Sequence, residues 1–375
     1  MISHPRLQLE AEDLADPAAP VSEGILLSSS VDEVLVIDPM TGEEIGDIAA
    51  SNSADLETAL RRFHDYEQNG SWVGLSSQDR MSLMDRLVGI FENHGESIAE
   101  LATLESGTPS QFSYQTHVAG PLAIMRSAAS LSSHSIENKS IAIIGYHQPL
   151  AFLAQAVIMA LEQGRPSIIV ASPLAPLTSI AFMNCLLEAD LPKGVVHMVL
   201  GTPTVIESLL ISAPDQIVDN SPGGADAGSV PIVIEPESQT DDSVSVICRN
   251  TLLGHSTVPG RRPGVPHLFV PVKDFDLYQM AMTEVIDSLV VGDPWDAATE
   301  VGPIIRPVEG GGISSYLEGM KGLGARLIQT PESLDKNIFP VPTLVHNLSD
   351  PRVAMNNTIC APVAAVFTYE GEISI

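Results

Sequence analysis

Between residues 140 and 235 the chain alternates short apolar, β-branched runs with stretches of helical spacing, and this alternation limits the fold more than any other feature. The runs are Ile141–Ile144, Ser167–Val170, Val195–Leu200, Gln216–Val218 and Pro231–Glu235, with Ala151–Leu161 and Ile180–Leu187 between them. Strands that are apolar throughout need cover on both faces, and strands separated by helices join as parallel neighbours through crossovers. The pattern therefore predicts a doubly wound parallel sheet of the nucleotide-binding type.

The flanking segments read differently. Residues 1–30 are rich in Pro, Ala, Ser and acid without periodicity, the composition of a mobile arm. Val34–Ile37 reads as a strand running into the turn Asp38-Pro39-Met40-Thr41-Gly42. Ser53 stands where a helix cap is expected before Leu56, Leu60 and Phe63. Ser76 and Asp79 have capping-box spacing ahead of Leu83, Met84, Leu87 and Phe91. A third helix passes Ile98, Leu101 and Leu104 and stops at Gly107-Thr108-Pro109. The nucleotide-type domain is expected over 31–240 and a second, reduced domain over 241–375. The latter holds a helix Tyr278–Leu289, a turn Gly292-Asp293-Pro294, a helix near Ile313–Leu323 and a strand Ala325–Ile328. Gly310-Gly311-Gly312 reads as a flexible connection.

At 375 residues the chain is long enough for two proper cores. Its net charge of −29 reflects a shortage of basic residues, 18 against 47 acidic ones. Such an acidic surface repels nucleic acid and anionic membranes, so neither is an expected partner. Met1–Pro20 lacks the basic-then-apolar signal pattern, and no uninterrupted apolar run is long enough for a membrane span, which together predict a cytoplasmic protein. Cys185, Cys248 and Cys360 are far apart, and the histidines lack HExxH spacing, so no metal site is expected. His197, inside the apolar run Val195–Leu200, reads as a core histidine.

Several motifs occur in a telling order. Ile37-Asp38-Pro39-Met40-Thr41-Gly42-Glu43 is followed by the segment from Trp72 to Pro109, ending Leu104-Glu105-Ser106-Gly107-Thr108-Pro109. Ala175-Pro176-Leu177-Thr178 and Leu191-Pro192-Lys193-Gly194-Val195-Val196 come next. Val291-Gly292-Asp293-Pro294 through Val301-Gly302-Pro303-Ile304-Ile305 is the strongest of the set, before Phe339-Pro340-Val341-Pro342-Thr343-Leu344 and Ala361-Pro362-Val363. On these motifs the chain resembles the aldehyde dehydrogenase superfamily over roughly residues 33–368. The resemblance implies an aldehyde dehydrogenase-like α/β fold, a nucleotide-type domain with a second α/β domain of catalytic type.

What the resemblance implies for function departs from that frame. The positions of the Lys and Glu that bind the adenosine ribose in the family are matched by Val170 and Pro173. The Thr-Gly-Ser pyrophosphate turn becomes Pro222-Gly223-Gly224, and proline removes a donor N–H from a loop that works by offering them. The Glu that holds the nicotinamide ribose is matched by Thr358. The expectation is no cofactor, with NAD or NADP only under an alternative reading.

At the reacting centre, Tyr146-His147-Gln148-Pro149 matches the family's Trp-Asn-Phe-Pro, which puts His147 where an asparagine amide stabilises the oxyanion. Glu235 matches the general base. The nucleophilic cysteine of Asn-x-Gly-Gln-x-Cys-x-x-Gly is matched by Thr257 when Gly254 and Gly260 anchor the register, and by Arg262 when the strand Leu268–Val270 does. A threonine hydroxyl is a poor nucleophile without an activating base.

Glu235, His147, Thr257 and His255 are expected to converge on one cleft as an acid–base or nucleophilic set. Tyr146, Arg261 and Arg262 are the substrate-binding candidates, with Arg249 nearby and the arginines suited to an anionic group. The expected function is a family member that has lost thiol-dependent, NAD-linked oxidation. It is a repurposed non-redox enzyme or a catalytically silent protein holding a small-molecule ligand. The alternative is a divergent NAD(P)-dependent aldehyde dehydrogenase, completed by a partner chain. Ser132–Ser140 is too short for the family's oligomerisation hairpin, and the family's last segment does not follow Phe367, so a monomer or a different oligomer is expected in place of the family dimer.

Overall fold

The computed structural model describes residues 32–70, 74–127, 140–162, 164–192, 194–219, 231–234, 241–257, 264–305, 307–329, 335, 338–348, 350–354, 359 and 361–370. The expected arm, the hairpin interval and the end of the chain lie outside these residues.

An antiparallel hairpin, β1 (Glu33–Ile37) with β2 (Glu44–Ala49), opens the described chain. Helix α1 (Ser53–Asn69) is capped by Asn52 and not by Ser53. Asn52 Oδ1 accepts from the backbone N–H of Ala54 and Asp55, while Asp55 accepts from Asn52 N at 2.8 Å. Asp55 stands three residues after Asn52, so only that register closes the reciprocal box. Helix α2 (Ser77–Asn93) starts as read, with Ser76 Oγ accepting from Asp79 N. Helix α3 (Gly95–Ser106) ends at Gly107 in the left-handed conformation, φ 73°. The stop expected at Gly107-Thr108-Pro109 is there, with all three residues outside helix. A new helical run then follows through α4 (Ser110–Tyr114), a π-helical turn (Gln115–Ala119) and α5 (Gly120–Ser127).

The parallel sheet forms as the alternation predicts. Strands β3 (Ile141–Ile144), β4 (Ser167–Ala171), β5 (Val196–Leu200) and β6 (Ile217–Asp219) lie in the order β5-β4-β3-β6, all parallel. Their crossovers run through α6 (Pro149–Glu162), α7 (Leu177–Glu188) and α8 (Pro203–Ser212). Ala142 and Ile144 of β3 face a core with α2, α6 and α7 residues, whereas Ile141 and Ile143 face Leu56, Phe63, Val205 and Leu209. The period of two thus splits one strand between two apolar layers. From β3 the chain winds outward to β4 and β5, then returns to β6 on the other side of β3. Ligand crevices of such sheets open at this switch, beyond the carboxyl ends of the strands.

The run at Pro231 goes elsewhere. Strand β7 (Pro231–Val233) pairs with β8 (His267–Pro271) in a second sheet, not with β6. That sheet has the order β7-β8-β11-β10-β9, where β9 is Arg326–Gln329, β10 is Thr343–His346 and β11 is Val363–Tyr369. The β7 strand therefore precedes the boundary expected at residue 241 yet pairs with a strand beyond it. Its pairing is chosen by spatial partners, which strand propensity does not encode. Helices α9 (Asp241–Thr257) and α10 (Phe275–Ser288) pack on each other against this sheet, and α11 (Pro307–Gly322) packs Ile313, Tyr316, Leu317 and Met320 into its other core. The glycines 310–312 are thus helical, not a loose connection; the helix begins at Pro307, a residue well suited to a first helical position. Among the described residues, no helix is long and apolar enough to cross a membrane.

The two halves meet where backbones touch directly. A Cβ on Gly302 would lie 1.9 Å from Gly107 O, and one on Gly107 would lie 2.8 Å from Pro303 O. Beside this crossing, Ser110 N donates to Pro294 O at 2.7 Å and the Gln111 amide donates to Thr299 O. Only glycine at both positions permits this approach.

Candidate functional site

The turn after β3 stands at the switch point. Tyr146, His147 and Gln148 are all buried there, and Gln148 adopts φ 47°, an uncommon left-handed conformation for a residue other than glycine. This sharp turn delivers the chain directly into α6 at Pro149. Tyr146 packs with Leu174 and Ala175 from the β4–α7 turn and with Ile305 from the second half. It thus packs between the two halves. The His147 ring lies edge-on to Tyr146, with centroids 6.0 Å apart, and 5.5 Å from Phe152 of α6. It is an aromatic packing element as well as a candidate polar group.

Thr257 is the last residue of α9 and is half-buried. Its Oγ1 donates to Leu253 O at 3.1 Å, a bond within its own helix that leaves the hydroxyl proton engaged with backbone. His255 lies in the same helix, and its side chain is outside the description. Glu235, Arg261 and Arg262 also fall outside the described residues, so the structure does not place the full set in one cleft. Arg249, on α9, has partners of its own. Its guanidinium pairs with Glu300 and also donates to Ser288 Oγ. A neighbouring acid opposes a cation more cheaply than an unfilled anion site does, which explains why this arginine turns aside.

The described cysteines do not replace a nucleophile. Burial pushes the thiols of Cys185 and Cys248 up to about 12, and the reactive form of cysteine is the thiolate. Cys360 and Thr358 lie outside the described residues. His197 is buried in β5, where a core histidine was expected.

Val170 is fully buried in β4 and Pro173 lies in the following turn, so neither supplies a charged partner for a ribose. The turn Pro222-Gly223-Gly224 lies outside the described residues.

Two buried groups escaped the sequence reading. Glu105, at the end of α3, is 1% exposed. Its carboxylate accepts from Leu177 N, Thr178 N and Thr178 Oγ1, closing the N-terminus of α7 from another helix. Desolvation outweighs these three donors and raises its pKa from 4.5 to about 7. His117, on the π turn, is buried with its Nε2 3.1 Å from Thr108 Oγ1, and burial lowers it to about 4. The π turn packs against α6, which follows Tyr146 and His147, and against α9, which ends at Thr257. A π turn of this kind is a recurring mark of functional segments. In the sequence, its one signal is a lone histidine in an apolar helix, which by itself reads as core.

Comparison with known proteins bears on this arrangement. The model of the aldehyde dehydrogenase family matches residues 26–218 and 264–374. Putative aldehyde dehydrogenases of Staphylococcus aureus (strain USA300) and Staphylococcus haemolyticus (strain JCSC1435) are 24% and 25% identical over 388 residues, covering 91% of this chain and 79% of theirs. An aldehyde dehydrogenase from Bacillus cereus, solved with NAD+, superposes with a TM-score of 0.80 at 17% identity, over 97% of this chain and 82% of its own. A mutant aldehyde dehydrogenase of Pseudomonas syringae, solved with NAD+ and octanal, gives 0.78 at 20% identity, over 93% and 80%. At these identities the structures speak to the fold alone.

Proposed function

The chain belongs to the aldehyde dehydrogenase family, and we propose that it works as a repurposed, non-redox member whose cleft takes a small anionic molecule. The carrying observation is where the family match breaks. It stops at residue 218 and resumes at 264. Residues 219–263 are the interval in which the resemblance places the pyrophosphate turn Pro222-Gly223-Gly224, the base Glu235 and the nucleophile position Thr257. The scaffold on both sides matches, and the interval for cofactor and covalent chemistry does not. The engaged hydroxyl of Thr257 and the high thiol values of Cys185 and Cys248 support the same reading.

In this reading Glu235 supplies acid–base chemistry, and Arg261 with Arg262 holds the anionic group of the ligand. Tyr146 and Ile305 wall the cleft, and His147 braces Tyr146 from behind. Titration with NAD+ and NADP+, followed by calorimetry and by NADH formation with a panel of short aldehydes, tests the proposal. No saturable binding and no reduced cofactor are expected; micromolar affinity with turnover overturns it in favour of a divergent dehydrogenase. If Glu235→Ala and Arg262→Ala leave ligand binding and turnover unchanged, the assigned roles fall.

A further inference from the structure

The carboxylate of Glu105 closes a ring of contacts that crosses between the two halves of the molecule. From Glu105 the chain runs to Gly107, whose backbone meets Gly302 and Pro303 of the second half. Beyond Pro303, Ile305 packs with Leu174, Ala175 and Tyr146 of the first half. Helix α7 begins just after Ala175, at Leu177, and there the ring returns to Glu105. The carboxylate accepts from Leu177 N, from Thr178 N at 3.0 Å and from Thr178 Oγ1 at 2.8 Å. The other links are backbone contact and apolar packing, so the carboxylate is the link on which a proton can act.

Burial opposes the charged form of Glu105 more strongly than its three donors favour it, which raises the carboxyl to about 7. No neighbouring charge contributes to that balance. The elements packed on α3 are α2, α4, the π turn and α7. They bring Tyr114, His117, Cys185 and Glu188, while the charged residues of α2 are exposed or, as Arg80 does, bond back to Leu75 O. Burial holds His117 down at about 4 and the Cys185 thiol up at about 12, so neither changes charge near neutrality. Glu96 and Glu100 of α3 itself are exposed. His94 and Glu188 join the opposite ends of α3 and α7, 2.8 Å apart. Thr103 Oγ1 on α3 and Ser179 Oγ on α7 are buried with no hydrogen-bond partner among the described residues. Water admitted between these helices would serve both hydroxyls, which lowers the cost of opening there.

We propose that Glu105 is a proton-operated latch between the two halves, closed when protonated and released as pH rises, with the turn Leu174–Ala175 and the segment Gly302–Ile305 loosening together. Opened to water, the carboxyl regains its ordinary value of 4.5. A group that holds its proton more tightly closed than open favours the closed form fully below 4.5 and loses that preference as pH rises through about 7. The latch is independent of the chemistry assigned above to the cleft.

Hydrogen exchange of the full chain, read by mass spectrometry and corrected for the intrinsic chemical rate, tests this between pH 6 and pH 8.5. Segments 172–180 and 300–305 are expected to exchange about tenfold faster at the upper pH, the ratio set by values of about 7 closed and 4.5 open. Both should move together. Glu105→Gln keeps an acceptor for the α7 amides but carries no charge, and its corrected exchange should not depend on pH. His94→Gln is the control and should behave as wild type. A merely structural glutamate would leave wild-type exchange flat across this range. A flat wild type, acceleration in one segment only, a response that survives Glu105→Gln, or one that disappears in His94→Gln overturns the proposal. Should Glu105→Gln fail to fold, carbon NMR of glutamate-labelled wild type decides: one carboxyl must titrate near 7 in step with the exchange, and none doing so overturns it.

Discussion

The segment Val291–Ile305 and the interval 219–263, which holds β7 and α9, match the family to different degrees. The first lies wholly within the family match and the second wholly outside it. Around Gly302 the constraint is backbone against backbone: Gly107 O occupies the space of any side chain, and Ser110 and Gln111 bond to carbonyls of Pro294 and Thr299. Such contacts admit no substitution without moving two halves of the molecule. In the described part of the second region, Thr257 ends a helix and bonds within its own turn. A residue held so locally can change identity while the fold stays intact. Scaffold persists where packing leaves one solution, and identity is freer where a side chain is held only by its own turn.

The largest expected effect breaks this comparison directly if it fails. Gly302→Ala should destabilise the protein by about 3 kcal/mol or more in urea unfolding, since overpacking against backbone leaves no flexible atom to yield. An unchanged midpoint would show that the crossing does not constrain the scaffold.

The next effect concerns pH. Glu105 holds its proton more tightly folded than unfolded, at about 7 against 4.5, so its contribution is fully present below 4.5 and is lost as pH rises through about 7. His117 binds its proton less tightly folded, at about 4 against 6.5, so its contribution is present above 6.5 and is lost as pH falls through about 4. Each unit of separation corresponds to about 1.4 kcal/mol. Glu105→Gln should flatten the alkaline decline in melting temperature, and His117→Gln the acid one. If either variant keeps the wild-type slope on its own limb, that group is not the source.

The smallest effect falls in the divergent region. Thr257→Ala should change stability by no more than about 0.5 kcal/mol. On the non-redox reading proposed above, Thr257→Cys should likewise yield no NADH from aldehydes, because a thiol alone supplies no cofactor contacts. NADH production by that variant would show that one substitution separates this chain from a dehydrogenase.

Much of the architecture was legible because it depends on local pattern. Ile141–Ile144 and Ser167–Val170 declare buried strands by being apolar at every position, and Ser76 with Asp79 declares a helix start. The failures share one cause. Asn52 took the cap from Ser53 because Asp55 closes the box. The glycines 310–312 became helical because Ile313, Tyr316, Leu317 and Met320 anchor α11 in a core, and tertiary packing overrides weak local preference. Gly107 and Pro109 do stop α3 as read, but the π turn beyond them went unread because it depends on packing against α3, α6 and α9. Of the candidate site, Tyr146 is buried against Leu174, Ala175 and Ile305, while Glu235, Arg261 and Arg262 lie outside the described residues. Glu105 and His117 gave no signal, since a buried acid and a lone histidine are recognisable only once their partners are known.

By itself, the sequence determined the family and the parallel sheet, because these rest on residue identity and order along the chain. Tertiary structure alone decided that β7 joins the second sheet, that Glu105 caps a helix 72 residues further along the chain, and that His117 Nε2 meets Thr108 Oγ1. Each of those depends on which groups lie within hydrogen-bonding distance across the fold, and that distance is set by packing.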